Sequence, residues 1–181
     1  MARPQLIQPG DHINFVCRGT WEYVERVGIN GIVYVVALTD ADELIMIEQY
    51  RPPVDAQVIE MVAGLSGDLA GGADEALADA AHRELLEETG YAAGTMTRVA
   101  AGAPAAGVCD EILTVFLARD LERRHAGGGD ANEQITVHCV PLDAVDVWLQ
   151  QQAADGKLID LKVYSGLYFA RHAEFYEHKE Q

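Results

Sequence analysis

The 181-residue sequence has few basic residues: 13 Lys and Arg stand against 29 Asp and Glu, a formal net charge of −16 at pH 7. Proteins that bind long nucleic acids draw much of their affinity from clusters of Lys and Arg. The composition therefore argues against a nucleic-acid polymer as a partner. A small anionic substrate is compatible with this charge if a divalent cation supplies positive charge locally.

Cysteine is also scarce, and no apolar run approaches the length of a membrane span. Cys17, Cys109 and Cys139 are odd in number and widely spaced, without a Cys-x-x-Cys pair. Such a pattern indicates neither a disulfide framework nor a zinc site. The largely polar residues 1–12 lack the apolar centre of a signal peptide. We therefore expect reduced thiols, no membrane contact and a cytoplasmic location.

Length and composition indicate one globular domain over residues 1–181, because 49% of the residues are hydrophobic and 23% are charged. Apolar, β-branched runs at 32–38 and 44–50 predict a hairpin that a Pro-Pro pair ends. The fold class that follows is an α/β (α+β) sandwich, a mixed β-sheet flanked by helices with a short N-terminal β segment in residues 1–30. Further strands are predicted at 15–27, 58–62, 96–101, 112–118 and 134–141, and helices at 74–89, 142–154 and 163–176.

The helix predicted from Asp74 carries the residues with the clearest chemistry. Glu87 and Glu88 follow Glu84 by three and four positions, a spacing that places side chains on one helical face. Three carboxylates on one face repel one another, whereas Mg²⁺ or Mn²⁺ would hold them together because hard cations prefer oxygen ligands. A Glu-rich helix taken alone is more often a solvent-exposed acidic face, so the spacing by itself does not decide between the two.

The segment around this helix resembles the Nudix box, G-x5-E-x7-R-E-U-x-E-E-x-G-U, in which U is a bulky apolar residue. Counted rigidly, the first Gly of the box falls on Leu69, so we place it at Gly64 and infer five extra residues in the loop 65–74. The stretch before Gly64 is similar to the strand that leads into the box of ADP-ribose pyrophosphatases. The chain thus resembles a Nudix hydrolase of that subfamily. The matching residues are Glu75, Arg83, Glu84, Leu85, Glu87, Glu88 and Gly90, with Tyr91 at the final U position.

The resemblance implies a metal site made by the box. Glu84 and Glu88 would bind Mg²⁺ or Mn²⁺ and serve catalysis. Glu87 would bind or support one ion, and the Ala63 carbonyl would add an oxygen. Bound ions of this kind lower the pKa of water and neutralise diphosphate oxygens.

Other matched residues have structural or substrate-binding roles by the same resemblance. Glu75 and Arg83 would tie the loop to the helix through charge-assisted hydrogen bonds, and Gly90 would cap the helix. The end of the second hairpin strand is similar to a stretch whose Arg contacts the substrate's phosphates, which makes Arg51 a candidate ligand. A surface ion pair for Arg51 is about equally compatible with the sequence.

Three further candidates rest on looser matches. Glu111 lies in a stretch similar to the Pro-Gly loop of the subfamily and is a candidate substrate ligand. Trp21 or Tyr23 would stack on an adenine, although an aromatic residue on a half-buried strand usually packs. Glu133, on a loop that the glycines at 127–129 are expected to make mobile, is the candidate general base. If Glu133 is only a solvated residue, Glu111 or a box glutamate takes that role.

The implied function is metal-dependent hydrolysis of the pyrophosphate bond of a nucleoside diphosphate derivative, with ADP-ribose cleaved to AMP and ribose 5-phosphate as the first expectation. GDP-mannose, NADH, coenzyme A and dinucleoside polyphosphates stay open as substrates. The alternative from another functional class is a Nudix-fold module that binds a nucleotide without hydrolysing it. The three glutamates of the box favour an enzyme over such a binding module. The resemblance to this subfamily also implies a homodimer. Residues 15–27 agree with it, because they have little core of their own and could be buried against a partner chain.

Overall fold

The computed structural model describes residues 2–67, 74–129 and 134–177. The strands in these residues are β1 (Gln5–Gln8), β2 (Ile13–Arg18), β3 (Trp21–Arg26), β4 (Gly31–Leu38), β5 (Glu43–Arg51), β6 (Ala56–Glu60), β7 (Val62–Ser66), β8 (Tyr91–Gly102), β9 (Leu113–Arg123), β10 (Thr136–Pro141) and β11 (Leu158–Ile159). The α-helices are α1 (Leu77–Thr89), α2 (Val145–Ala154), α3 (Lys162–Arg171) and α4 (Ala173–Glu177), and Pro52–Val54 form one 3₁₀ turn.

The main sheet is mixed and has the strand order β11-β6-β5-β4-β9-β8, with β10 beside β5 and β7 beside β4. Strands β4 and β9 are parallel, as are β6 and β11, and the other neighbours are antiparallel. The predicted hairpin is confirmed, because Ala37 and Leu38 of β4 pair with Ile45 and Leu44 of β5. Beyond these pairs the two strands separate, since β7 continues beside β4 while β6 continues beside β5.

The central strand β4 is buried on both faces, as its unbroken apolar run indicates. Ile32 and Tyr34 point into a core with α2 and α3. Val33 and Val35 point into a second core with α1. Side chains of a strand alternate between faces, so a strand covered by helices on both sides has to be apolar throughout. The predicted fold class, a mixed sheet flanked by helices, is therefore confirmed.

Three element boundaries differ from the sequence prediction. The single strand expected at 58–62 is two strands, because the chain passes at the buried Met61 from its place beside β5 to its place beside β4. Helix α1 begins at Leu77, because the backbone of Ala76 before it is extended, with a ψ of 144°. The helix expected at 163–176 is broken at His172, whose φ of −118° lies outside the helical range.

The N-terminal strands form a separate antiparallel sheet in the order β1-β2-β3. This sheet contacts the loop before β9, where Val24 N donates to Val108 O at 2.9 Å and Trp21 Nε1 donates to Gly107 O at 3.4 Å. Several of its apolar side chains are exposed: Leu6, Ile7, Ile13, Phe15 and Trp21. Among the described residues, no helix has the length and apolar character needed to cross a membrane.

Candidate active site

A cavity of about 450 Å³, called here the main cavity, opens where β6 and β7 diverge. Its walls come from β4, from β5 to β7, from α1, from the N-terminal sheet and from the start of α3. Four cationic side chains line it among a larger number of carboxylates, so a bound anion would meet both signs of charge. The charged lining residues are Arg26, Arg51, Arg83, Lys162, Glu60, Glu84, Glu87, Glu88, Glu111 and Asp160.

Helix α1 presents the three box glutamates to this cavity. Ala80, Ala81 and Leu85, which adjoin Glu84 and Glu88 on the same side of the helix, are buried in the core against the sheet, and this packing fixes the rotation of the helix. Glu84 and Glu88 are 9% and 3% exposed, while the Glu87 side chain is 47% exposed. Two carboxylates are therefore held at a nearly dry surface, where an unneutralised negative charge is costly.

Gly64 of β7 faces Glu84 so closely that any side chain there would force Glu84 to move. A Cβ atom at Gly64 would overlap the carboxylate carbon of Glu84. The contact explains why the box begins with glycine and supports its placement at Gly64. Leu69, the position reached by rigid counting, lies outside the described residues, as do residues 68–73 of the inferred insertion. Ala63, the candidate carbonyl ligand, also lines the main cavity.

Arg83 connects the loop before α1 to the helix. Its Nε and Nη2 donate to the two carboxylate oxygens of Glu75 at 2.9 and 3.2 Å, and Nη2 also donates to Leu65 O at 2.8 Å. The Arg83 hydrogen bonds lower the pKa of Glu75, whose burial acts in the opposite direction, and the Gly67 N–H adds to the lowering. The bonds to Glu75 likewise raise the pKa of Arg83. This geometry fits the structural role expected for both residues.

The expected convergence of three glutamates is not present in the described part of the chain, where no three His, Cys, Asp or Glu side chains are grouped closely enough to hold a metal ion. Arg83 is the physical reason. Its Nη1 donates to Glu84 Oε1 at 2.9 Å and to Glu87 Oε2 at 3.0 Å, so a guanidinium binds between two of the carboxylates. Glu87 is drawn to Arg83 at the exposed side of the helix, while Glu88 lies buried.

The donor set nevertheless fits a hard divalent cation. Glu84 and Glu88 offer buried carboxylate oxygens one helical turn apart, and the lack of a side chain at Gly64 leaves the room that the Glu84 carboxylate occupies. Mg²⁺ and Mn²⁺ take oxygen ligands of this kind. A cation would also offset the repulsion between the two carboxylates.

Glycines cap the C-terminus of α1. Gly90 has a φ of 76°, and its N–H donates to Leu86 O at 2.8 Å. Gly128 N donates to Glu88 O at 2.9 Å, and Gly129 N donates to Glu87 O at 3.2 Å. Residues 127–129 all have positive φ, so these glycines provide a backbone shape that binds helix carbonyls. Glu133, the expected general base, lies outside the described residues, which end at Gly129 and resume at residue 134.

The structure places the two substrate-binding candidates Arg51 and Glu111 at the main cavity, each in an ion pair. Arg51 donates to both oxygens of Glu60, with Nη2 2.7 Å from Oε2. Glu111 accepts from Arg26 Nε at 2.6 Å. Arg51 therefore combines the two alternatives that the sequence left open, an ion pair and a cavity position. Trp21 does not line the main cavity, and its side chain is on the outer surface.

Two cationic residues of the site were missed in the sequence. Arg26 ends β3, and Lys162 begins α3, where Asp160 pairs with its ammonium group. Neither belongs to the box, and their place at the main cavity depends on contacts between distant parts of the chain. Only their positive charge could have marked these two residues as candidates, because basic residues are scarce in this chain, with 13 Lys and Arg in total.

Comparison with known proteins agrees with this geometry. The family model described as NUDIX domain matches residues 30–162. The chain is 36% identical over 132 residues to the ADP-ribose pyrophosphatase of Bacillus subtilis (strain 168), covering 70% of this chain and 67% of that protein. It is 30% identical over 150 residues to the methanol dehydrogenase activator of Bacillus methanolicus, covering 82% and 76%.

A solved structure described as an ADP compounds hydrolase has the same fold. The TM-score is 0.69 at 20% sequence identity, and the superposition covers 98% of this chain and 94% of that chain. The family match, the box at the cavity and the shared fold agree. The chain belongs to the Nudix hydrolase family.

Proposed function

We propose that this enzyme hydrolyses the pyrophosphate bond of a nucleoside diphosphate derivative in the presence of Mg²⁺ or Mn²⁺, with ADP-ribose cleaved to AMP and ribose 5-phosphate as the leading reaction. The observation that carries the proposal is the burial of Glu84 and Glu88, with Glu84 packed against Gly64, in a cavity that Arg26 and Arg51 also line. Its relationship to a protein named ADP-ribose pyrophosphatase supports this choice of substrate.

Each part of the cavity has a task in this reaction. Glu84 and Glu88 would hold the cation, with help from Glu87 and the Ala63 carbonyl. When bound, the cation supplies charge neutralisation for the diphosphate and lowers the pKa of water. Arg51 would bind phosphate oxygens, since a guanidinium matches their geometry and stays protonated. Glu60 holds the Arg51 fork in place through Nε and Nη2.

Glu111 and Arg26 would orient the nucleoside end of the substrate. Their ion pair lies at the cavity wall, with side chains 20% and 34% exposed, so both can reach a ligand. A carboxylate accepts hydrogen bonds from the hydroxyls or amino group of a nucleoside, and an arginine can stack on a base.

Glu133 remains our candidate for the general base. The residues around it support the proposal, because Ile135 N donates to Gly128 O at 3.3 Å and Gly128 is bound to the end of α1 at Glu88. The described residues Gly129 and Ile135 on the two sides of Glu133 therefore bond to the end of α1 and to Gly128, which itself bonds to α1. Glu133→Gln should lower kcat by roughly a hundredfold or more and leave KM and Tm nearly unchanged. A variant that keeps more than about a third of wild-type kcat would transfer the role to Glu111 or a box glutamate.

We also propose that the enzyme forms a homodimer and is located in the cytoplasm. The exposed apolar residues of the N-terminal sheet, among them Leu6 and Phe15, would gain from burial against a second copy. In such a dimer Trp21 would reach the partner's cavity and stack on an adenine. Light scattering at micromolar concentration should give twice the mass of 19.7 kDa, and a monomer would remove this role for Trp21.

A coupled assay tests the proposed reaction. ADP-ribose is incubated with the enzyme and Mg²⁺, and a phosphatase that acts on monophosphates but not on ADP-ribose releases phosphate from the products. The proposal expects release that depends on Mg²⁺ and stops with a chelator. GDP-mannose, NADH, coenzyme A and a dinucleoside polyphosphate are assayed in parallel, and faster turnover of one of them would replace ADP-ribose. Nucleotide binding without any turnover would favour the non-catalytic alternative.

A further inference from the structure

Gln49 of β5 is a buried amide that lies between the core and the main cavity. It is 6% exposed. Side chains alternate along a strand, so Gln49 shares a face with Ile45 and Ile47, which belong to the core with α1, and with Arg51, which lines the cavity. An apolar side chain would suit this position, whereas a buried amide is costly unless it is hydrogen-bonded. The partner of this amide therefore indicates what it does.

Glu60 of β6 accepts the hydrogen bond from Gln49. The distance from Gln49 Nε2 to Glu60 Oε2 is 3.1 Å. The register of the two strands sets Glu60 opposite Ile47, which makes Glu60 a diagonal neighbour of Gln49 on the same face. The same carboxylate oxygen accepts from Arg51 Nη2 at 2.7 Å and from Arg51 Nε at 3.0 Å. One oxygen of Glu60 thus joins the buried amide to the guanidinium in the cavity.

The three side chains become more exposed from the core toward the cavity. Behind the cavity wall lies the buried Gln49, the Glu60 side chain is 12% exposed, and the Arg51 side chain is 44% exposed. A half-exposed arginine has many rotamers to choose from, so its position depends on an acceptor that does not move. The Glu60 carboxylate is such an acceptor when its own orientation is fixed. Gln49 fixes it from the core side.

The neutral charge of Gln49 suits this task. The main cavity has to bind an anionic diphosphate, and Glu60 contributes a negative charge that Arg51 offsets. A cationic donor at position 49 would compete with Arg51 for the same carboxylate. An amide fixes Glu60 and leaves the ion pair with Arg51 intact.

We infer that Gln49 is a positioning residue, which acts through Glu60 to hold Arg51 where it binds the phosphates of the substrate. The inference rests on the phosphate-binding role proposed for Arg51. It assigns part of the substrate affinity to a residue that lies behind the cavity wall.

Gln49→Met tests the inference, because Met keeps the length of the side chain and suits the core but donates no hydrogen bond. Gln57→Met is the matched control, since Gln57 is exposed on the neighbouring strand β6. Steady-state hydrolysis of ADP-ribose with Mg²⁺ saturating gives kcat and KM. We expect KM to rise at least about threefold in Gln49→Met while kcat stays within about twofold, and both to stay at wild-type values in Gln57→Met. Gln49→Leu replaces Gln49→Met if the latter does not fold, as judged by Tm.

A double-mutant cycle with Arg51→Ala separates positioning from a general structural role. If Gln49 acts through Arg51, then Gln49→Met raises KM by less than about 1.5-fold once Arg51 is absent. A structural role would instead give the same change in both backgrounds. Equal factors in the two backgrounds, an unchanged KM in Gln49→Met, or a loss of kcat larger than the rise in KM overturns the inference.

Failure of the proposed function gives a different result. If the wild-type enzyme releases no AMP from ADP-ribose with Mg²⁺ present, the proposed reaction is wrong. The Arg51 Nε–H signal in ¹H–¹⁵N spectra, assigned by its loss in Arg51→Ala, then decides the inference without substrate. Its exchange with water should be at least about threefold faster in Gln49→Met than in wild type and Gln57→Met, because the acceptor of this proton is less well held. Equal exchange rates in the three proteins overturn the inference.

Discussion

The two walls of the main cavity are built in different ways. On the α1 wall, Arg83 binds Glu75, Glu84 and Glu87, so most of the network lies between positions 75 and 87. On the other wall, Arg26 of β3 meets Glu111, which lies 85 positions further along the chain. The first wall is fixed by the spacing of residues on one helix. The second depends on how a separate sheet docks.

This difference separates the proposed tasks of the two walls. The α1 wall holds carboxylates that are buried on a helix whose residue Leu85 is fully buried in the core. At the other wall the N-terminal sheet is joined to the loop before β9 by the Arg26–Glu111 ion pair and by hydrogen bonds from Val24 and Trp21, so we expect it to adapt to a nucleoside. We therefore expect the metal, which needs a fixed position, to bind at the α1 wall, and the nucleoside to be recognised at the Arg26 wall.

The largest expected effect comes from the carboxylates of α1. Glu88→Gln and Glu84→Gln should each lower kcat by roughly a hundredfold with Mg²⁺ saturating, because a group that stabilises charge in the transition state contributes about 3 kcal/mol. Steady-state kinetics on ADP-ribose provide the measurement. Asp79→Asn, an exposed acid on the same helix, is the control and should keep wild-type kcat. Near-normal turnover in both variants would remove the α1 wall from catalysis.

Gly64→Ala tests the close packing of that wall. The added methyl group overlaps the Glu84 carboxylate, so Glu84 has to move, and a displacement of about 1 Å in a catalytic group costs roughly a hundredfold in rate. Gly107→Ala is the matched control, because a Cβ there meets nothing within 4 Å. If the two variants have similar kcat, Glu84 does not need its observed position.

Arg51→Ala should affect substrate binding more than turnover. A hydrogen bond to a charged group contributes about 2 kcal/mol, so we expect KM for ADP-ribose to rise at least about tenfold while kcat changes less than about threefold. Arg98, exposed on β8, is replaced by Ala as the control for loss of one positive charge. An unchanged KM would reduce Arg51 to a surface ion pair with Glu60.

The smallest effect is on stability, and it depends on pH. Arg83 lowers the folded-state pKa of Glu75, so the ionised carboxylate stabilises the fold above the ordinary glutamate pKa of about 4.3. That contribution is lost as the pH falls through the lowered pKa. Glu75→Gln should lower Tm by about 5 °C at pH 7, and the difference from wild type should vanish in acid. A difference independent of pH would exclude the ion pair as its cause.

The sequence predicted the local wall well. The spacing of the box placed Glu84, Glu87 and Glu88 on one face of the helix, because residues three or four positions apart lie on the same side of a helix. Resemblance placed the first glycine at Gly64, and the overlap that a Cβ would make with Glu84 gives a physical reason for it. The same local pattern did not show that Arg83 would bind two of the glutamates, since a rotamer depends on all its neighbours.

Features that depend on distant contacts were missed. The break at Met61 arises because β6 and β7 pair with different strands. The apolar residues at 58–62 do not indicate which strand each part pairs with. Arg26 and Lys162 reach the cavity only through docking of the N-terminal sheet and of α3. Hydrophobic periodicity describes one helix or strand at a time, so it does not predict which elements contact one another in the fold.

Binding of Mn²⁺, followed by its electron paramagnetic resonance signal, tests the central claim that the α1 glutamates hold the catalytic cation. The wild-type protein, Glu84→Gln, Glu88→Gln and the control Asp79→Asn are titrated without substrate. The account predicts saturable binding to the wild type and to Asp79→Asn, weakened at least about tenfold in the two glutamine variants. Equal Mn²⁺ affinity in all four proteins would contradict it.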